Sequence, residues 1–93
     1  MPQNTDIAVT PGSWTLLTDE NVTAITVQAK DVTVLLKATA GATAPTDATG
    51  AWTLAAGEGL SGDIVDYWRG VTGANRVYAR AQNFPGTVAV SHA

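Results

Sequence analysis

The chain contains no cysteine and a single histidine, His92, the next-to-last of its 93 residues. Without cysteine there are no disulfides and no thiolate zinc sites. Few side chains remain that usually carry acid–base, nucleophilic or metal chemistry. Ser91 precedes His92, but neighbouring residues of a strand point to opposite faces and cannot act as a nucleophile and its base. We therefore predict no enzymatic activity, no cofactor and no metal site.

Charged residues are also scarce. Lys, Arg, Asp and Glu together make up 14% of the chain, and the formal net charge is −3, whereas roughly 25% charged residues is typical of globular domains. An acidic chain lacks the basic surface that binds nucleic-acid phosphates, so nucleic acid is not an expected partner. A weakly charged surface is more often one that contacts other protein. The composition therefore favours assembly.

Long apolar runs are absent as well. No segment approaches the roughly 20 apolar residues of a transmembrane helix. Residues 1–6 show neither the basic start nor the apolar run of a secretory signal. We expect no membrane partner, and a product that stays in the cytoplasm of its maker or in a particle assembled there.

The sequence does contain a two-residue alternation of apolar and polar positions, clearest in residues 22–38 and 76–91. This period is typical of half-buried strands. Short alternating runs with turn signals between them predict an all-β fold, a small antiparallel sandwich or barrel of about seven to eight strands. The runs on either side of Lys30 and Asp31 predict an antiparallel hairpin. Residues 61–68 fit either one helical turn or a loop or short strand.

We divide the chain into a flexible N-terminal arm, residues 1–12, with a short edge strand at 7–9, and a single β-sandwich domain, residues 13–93. Residues 40–50 are small and polar and predict a long exposed loop. Alternation and side-chain size place ten residues in the core. They are Trp14, Ile25, Val27, Val34, Leu36, Trp52, Leu54, Val77, Val88 and Val90.

One predicted strand places Arg76, Tyr78 and Arg80 on the same face. A basic and aromatic stripe can bind single-stranded nucleic acid, but arginine and tyrosine are also enriched at protein interfaces. In an acidic chain we favour the interface. Together with Ile7 and Val9 of the arm, these residues form the predicted contact surface.

Two further site hypotheses have simpler structural explanations. Glu58, Asp63 and Asp66 carry oxygen ligands for calcium, but they lack the spacing of a calcium-binding loop and are interpreted as solvated carboxylates. An exposed tryptophan could stack on a sugar, but in so small a domain tryptophan is more often a core residue.

Several segments resemble the small β-rich structural proteins encoded among the virion genes of tailed bacteriophages and prophages. The segments are residues 24–28 (AITVQ), 38–46 (ATAGATAPT), 57–59 (GEG), 73–81 (GANRVYARA) and 86–93 (GTVAVSHA). These are strand and turn motifs, and none is a catalytic signature. The resemblance covers most of residues 13–93 and transfers no contact residue.

The resemblance implies a non-enzymatic virion component, above all a capsid decoration or cement protein on the outer head lattice. Its expected partners are the major capsid protein or other virion proteins and further copies of the chain, with a trimer favoured. The expected location is the virion, assembled in the cytoplasm of a bacterial host. Alternatives are a neck, tail or head-fibre component and, from a different class, a carbohydrate-binding β-sandwich module that uses Trp14, Trp52 or Trp68.

Overall fold

The computed structural model describes residues 3–18, 21–41 and 43–92. This part of the chain forms eight strands and one helical turn, which confirms the predicted all-β fold. The strands are β1 (Gln3–Val9), β2 (Thr15–Leu16), β3 (Ala24–Ala29), β4 (Val34–Thr39), β5 (Trp52–Leu54), β6 (Gly59–Asp63), β7 (Arg76–Ala81) and β8 (Gly86–His92). The helical turn, α1 (Ile64–Tyr67), directly follows β6.

The strands form two antiparallel sheets of four. Sheet I has the order β1-β8-β3-β6, and sheet II has the order β2-β7-β4-β5. Four of the pairings join strands whose numbers add to nine: β1 with β8, β2 with β7, β3 with β6 and β4 with β5. The chain is thus one long hairpin, and pairing of β8 with β3 and of β7 with β4 rolls it into two sheets. This arrangement of eight strands is a jelly roll.

The connection after β3 differs from the sequence prediction. β3 lies in sheet I and β4 in sheet II, so the two strands do not pair. Between them the chain crosses from one sheet to the other, and Thr87 fixes this corner. Its carbonyl accepts from the N–H of Lys30 at 3.1 Å, and its own N–H donates to the Asp31 carboxylate at 2.9 Å. The predicted hairpin is wrong because alternation identifies the buried face of a strand but not its neighbour.

Strand β1 corrects the predicted arm. It pairs with β8 along its whole length, from Gln3 opposite His92 to Val9 opposite Gly86. Val9 is 1% exposed, and Ile7 is half-buried against the core. Residues 3–9 are therefore part of sheet I, in a longer strand than predicted, while residues 1 and 2 lie outside the described part of the chain.

The core lies between the two sheets, where alternate side chains point inward. Burial of one such aliphatic side chain stabilises the fold by roughly 1.5–3 kcal/mol. Eight of the predicted core residues are buried there: Ile25, Val27, Val34, Leu36, Leu54, Val77, Val88 and Val90. Leu17, Ile64 and Trp68 are buried with them.

Trp52 and Trp14 do not lie in the core. Trp52 is opposite Leu36 and so faces inward, but β5 is the edge strand of sheet II and the ring reaches the rim, where it is 43% exposed. Trp14 precedes the two-residue strand β2 and is half-buried against Arg80. Alternation predicted the direction of Trp52 but carries no information about distance from the sheet edge.

Candidate contact surface

The two sheets carry opposite charge. The four strands of sheet II contain Lys37, Arg76 and Arg80 but no Asp or Glu. The four strands of sheet I contain Asp6 and Asp63 but no Lys or Arg. Since the whole chain has five Lys and Arg residues and a net charge of −3, sheet II is a positively charged region in an acidic protein.

The register of β4 and β7 brings these cations onto one face. Lys37 is opposite Tyr78, and Arg76 and Arg80 lie two residues to either side of Tyr78. Residues directly opposite each other in antiparallel strands share a face. Because Val77 and Ala79 point into the core, this face is the outer one. We call the set of Trp14, Lys37, Arg76, Tyr78 and Arg80 the cationic face.

Each guanidinium group of the cationic face has a partner that restricts its position. The Arg80 guanidinium lies over the Trp14 ring, with its central carbon 4.9 Å from the ring centroid. The Arg76 Nε donates a hydrogen bond to Asn21 Oδ1 at 2.9 Å. Neither Trp14 nor Asn21 is charged, so these two contacts restrict the guanidinium groups without neutralising them.

The third cation is partly neutralised. Lys37 Nζ lies 2.9 Å from Asp47 Oδ1 and also donates to the Asp47 carbonyl at 3.3 Å. The hydrogen bond from Lys37 to the Asp47 carboxylate lowers the pKa of Asp47 below its ordinary value of 3.8. The hydrogen bond from the backbone N–H of Thr49 lowers this pKa further. The ion pair anchors the loop between β4 and β5 to sheet II.

The predicted contact residues separate into two groups. Arg76, Tyr78 and Arg80 do share one face, but Tyr78 is only 5% exposed because it lies between Leu16 of β2 and Lys37 of β4. The structure therefore leaves its neighbouring cations, rather than Tyr78 itself, available to a partner.

Ile7 and Val9 lie in sheet I and point toward the core. Because Val9 is buried, the prediction that it contacts a partner is wrong for this fold. The sequence analysis missed Lys37, although its place between the buried Leu36 and Ala38 is a signal for the outer face. It also missed the pairing of Trp14 with Arg80, which depends on the neighbouring strands.

A second surface feature is the aromatic rim of Trp52, Tyr67 and Trp68, which closes the side of the sandwich between β5 and β6. The Trp52 and Tyr67 rings meet edge to face, with centroids 5.1 Å apart. Trp52 Nε1 donates to the Tyr67 carbonyl at 2.9 Å, and the Tyr67 hydroxyl donates to the Ser61 carbonyl at 3.1 Å. The exposed Trp52 ring is therefore held in one orientation.

The remaining candidate residues have structural positions. The Glu58 carboxylate accepts a hydrogen bond from the N–H of Ala55 at 2.7 Å and so closes the turn between β5 and β6. Ser91 is exposed and His92 is buried, on opposite faces of β8. Among the described residues no group of three or more His, Asp or Glu side chains could hold a metal ion. No helix in this part of the chain is long and apolar enough to cross a membrane.

The chain matches no protein-family model, and it has no significant match among curated proteins or solved structures. The structure therefore defines the fold of this protein and not its family. The fold is a small jelly roll with a cationic outer face on one sheet.

Proposed function

We propose that this chain is a non-enzymatic structural protein of a bacteriophage virion, a capsid decoration or cement protein that stabilises the head by bridging capsid subunits. The observation that carries this proposal is the concentration of Lys37, Arg76 and Arg80 on one sheet of an acidic protein. The jelly roll is used by viral capsid domains and by lectins, but one fold hosts many functions, so this support is an analogy.

In this proposal the cationic face binds an acidic patch on the assembled shell. Arginine is prominent among residues that dominate binding energy at interfaces. Trp14 and Asn21 already restrict the two guanidinium groups, so binding them costs less side-chain entropy. A subunit that binds only the assembled shell stabilises that state by mass action, as any selective ligand does.

The test is co-sedimentation of the purified protein with heads of the phage that encodes it, together with the heat resistance of those heads. We expect wild-type protein to sediment with heads and to raise their resistance. The double variant Arg76→Glu, Arg80→Glu should bind at least about tenfold more weakly, because loss of charge pairs across an interface changes the binding free energy by this amount or more. Arg69→Glu, one charge reversal of the same kind outside the cationic face, is the control for each single variant, Arg76→Glu and Arg80→Glu, and should bind normally.

Failure of the wild-type protein both to sediment with heads and to change their heat resistance would overturn the proposal. Imaging of intact particles separates the related roles. Many copies spread over the head support decoration, whereas a few copies at one vertex or along the tail support a neck, tail or head-fibre component.

A second candidate function, a carbohydrate-binding module, is favoured by the exposure and fixed orientation of the Trp52 ring. An aromatic ring of this kind can stack on the apolar face of a sugar. Titration with polysaccharide from the host surface should then change the tryptophan emission of the wild type and of Trp14→Ala but not of Trp52→Ala. An emission unaffected by any such polysaccharide excludes this candidate.

A further inference from the structure

The jelly roll has four edge strands, and β1 differs from the other three. On sheet II, β2 has two residues and β5 has three. On sheet I, β6 has five residues, and the carbonyl of Ser61 in this strand already accepts a hydrogen bond from the Tyr67 hydroxyl. Strand β1 has seven residues, and within the described chain no other strand pairs with its outer side. Among the described residues it is the longest open edge.

Strand β1 also lacks the features that usually protect an edge, which are proline, lysine, bulges or a very short length. Gln3–Val9 contains neither proline nor lysine, and its seven residues pair with β8 without interruption. Its one charge, Asp6, is bound by Lys30 at 3.0 Å. Since Lys30 follows β3, this ion pair offsets the charge from within sheet I and contacts one carboxylate oxygen, Oδ2, so Asp6 does not protect the edge as an unpaired charge. The edge therefore presents a continuous row of backbone donors and acceptors.

We propose that β1 pairs with β1 of a second copy of this chain, antiparallel about a two-fold axis at Thr5, so that sheet I continues across the pair as an eight-stranded sheet. Two identical edges meet in an isologous contact, which a two-fold axis generates. Addition of a strand to an exposed edge is an established mode of protein recognition. This inference does not depend on the virion proposal.

The position of the axis follows from the faces of β1. Opposite residues must share a face, so the axis passes through a residue rather than between two. An axis at Asp6 places two carboxylates directly opposite each other, which is destabilising. An axis at Ile7 leaves Asp6 opposite Ala8. An axis at Thr5 places each Asp6 opposite Asn4 of the second copy, whose amide can donate to the carboxylate, and this favourable pair occurs twice.

Cysteine substitution tests the register directly, because the chain contains no native cysteine. At a two-fold axis the Cα atoms of Thr5 and its symmetry mate would be about 4.5–5.5 Å apart, within the range of a disulfide. Under mild oxidation Thr5→Cys should give a linked dimer in high yield. Asp6→Cys, Ile7→Cys and the exposed control Ser61→Cys should give little. Equal yields from Thr5→Cys and Ser61→Cys, or a maximum at Ile7→Cys, would contradict the proposal.

Charge exchange tests the same contact without a covalent bond. Asn4→Asp places like charges opposite each other twice and should weaken the dimer about tenfold in sedimentation equilibrium. The double variant Asn4→Asp, Asp6→Asn exchanges the two groups and should recover most of the affinity. Ser91→Asp adds the same charge on the same face but one strand inside the edge, and it should leave the dimer unchanged.

Far-UV circular dichroism and melting of each variant at high dilution establish that the monomer is folded. A wild-type chain that stays monomeric at every concentration overturns the proposal, as does a folded Asn4→Asp variant with unchanged affinity. A trimer, which the family resemblance favours, would also contradict it, because three copies cannot share one two-fold axis.

Discussion

Arg80 and Trp14 form a cation–π pair on the outer face of sheet II, with the guanidinium carbon 4.9 Å from the ring centroid. Arg80 belongs to β7, whereas Trp14 lies in the segment that enters β2. Since β2 contributes only Thr15 and Leu16 to its pairing with β7, this contact extends the attachment of a very short edge strand. The same contact positions one of the two arginines that we assign to partner binding.

A double-mutant cycle measures the contribution of this pair. Trp14→Leu and Arg80→Met each remove the interaction, and the free energies of unfolding of both single variants and the double variant follow from urea denaturation. We expect a coupling free energy of about 0.5–1 kcal/mol, as for cation–π pairs near the surface. Additive effects within about 0.3 kcal/mol would show that the two side chains do not interact energetically.

Gly86 is required by packing at the corner where β8 begins. A Cβ at this position would lie 2.6 Å from the Asp31 carboxylate oxygen and closer still to Val32. That carboxylate cannot move freely because it accepts the N–H of Thr87. Gly86→Ala should therefore lower the free energy of unfolding by about 1–3 kcal/mol. Gly70→Ala is the control, since nothing lies within 4 Å of its added Cβ, and should change stability by less than about 0.5 kcal/mol.

Acid should remove the stabilising effect of Asp47. Lys37 is the largest cause of the lowered pKa of this carboxyl group, so the folded state favours the ionised form. The resulting stability is present above the ordinary value of 3.8 and is lost as the pH falls through the lower folded-state pKa. The difference in urea midpoint between wild type and Asp47→Asn should be constant at neutral pH and vanish in strong acid.

The same comparison with Asp66→Asn gives the baseline for removal of an exposed carboxylate from this chain. A midpoint difference for Asp47→Asn that persists unchanged in strong acid would show that the side chain acts through something other than its charge.

Tyr67 should contribute to stability through both its hydroxyl and its ring. Tyr67→Phe removes the hydrogen bond to the Ser61 carbonyl and should cost about 0.5–1.5 kcal/mol. Tyr67→Ala also removes the edge-to-face contact with Trp52 and should cost more. Calorimetric melting measures both changes. A red shift of tryptophan emission in Tyr67→Ala, but not in Tyr67→Phe, would locate the second effect at the tryptophan rings that Tyr67 contacts, Trp52 and Trp68.

Sequence alone predicted the direction in which strand side chains point. Val27, Leu36 and Val90 are buried as the alternation required, because a period of two fixes which face meets the core. The same pattern could not identify strand neighbours. β3 and β4 look like a hairpin in sequence, yet they lie in different sheets, since a short connection serves equally well to turn within a sheet or to cross to the other one.

The contact surface was predictable in part. Arg76 and Arg80 share a face for a local reason, their spacing along one strand. Lys37 has a local signal for the outer face of β4, its place between the buried Leu36 and Ala38. Its position beside the two arginines depends on the register of β4 against β7, which pairs it with Tyr78, about 40 positions away, and cannot be derived from local sequence. Trp52 shows the related limit at the sheet edge. Alternation along the strand predicted a buried tryptophan, but β5 is the edge strand of sheet II in the described part of the chain, and the ring is 43% exposed.

The nested pairing of strands also constrains how the chain can be made. Of the four nested pairs, the innermost, β4 with β5, closes the shortest loop, and each outer pair closes a longer one, so the entropic cost of closure rises from the centre outward. Gln3 meets His92 in the outermost pair. Within this domain the first strand to be synthesised therefore pairs with the last one, and sheet I can be completed only after β8 has left the ribosome.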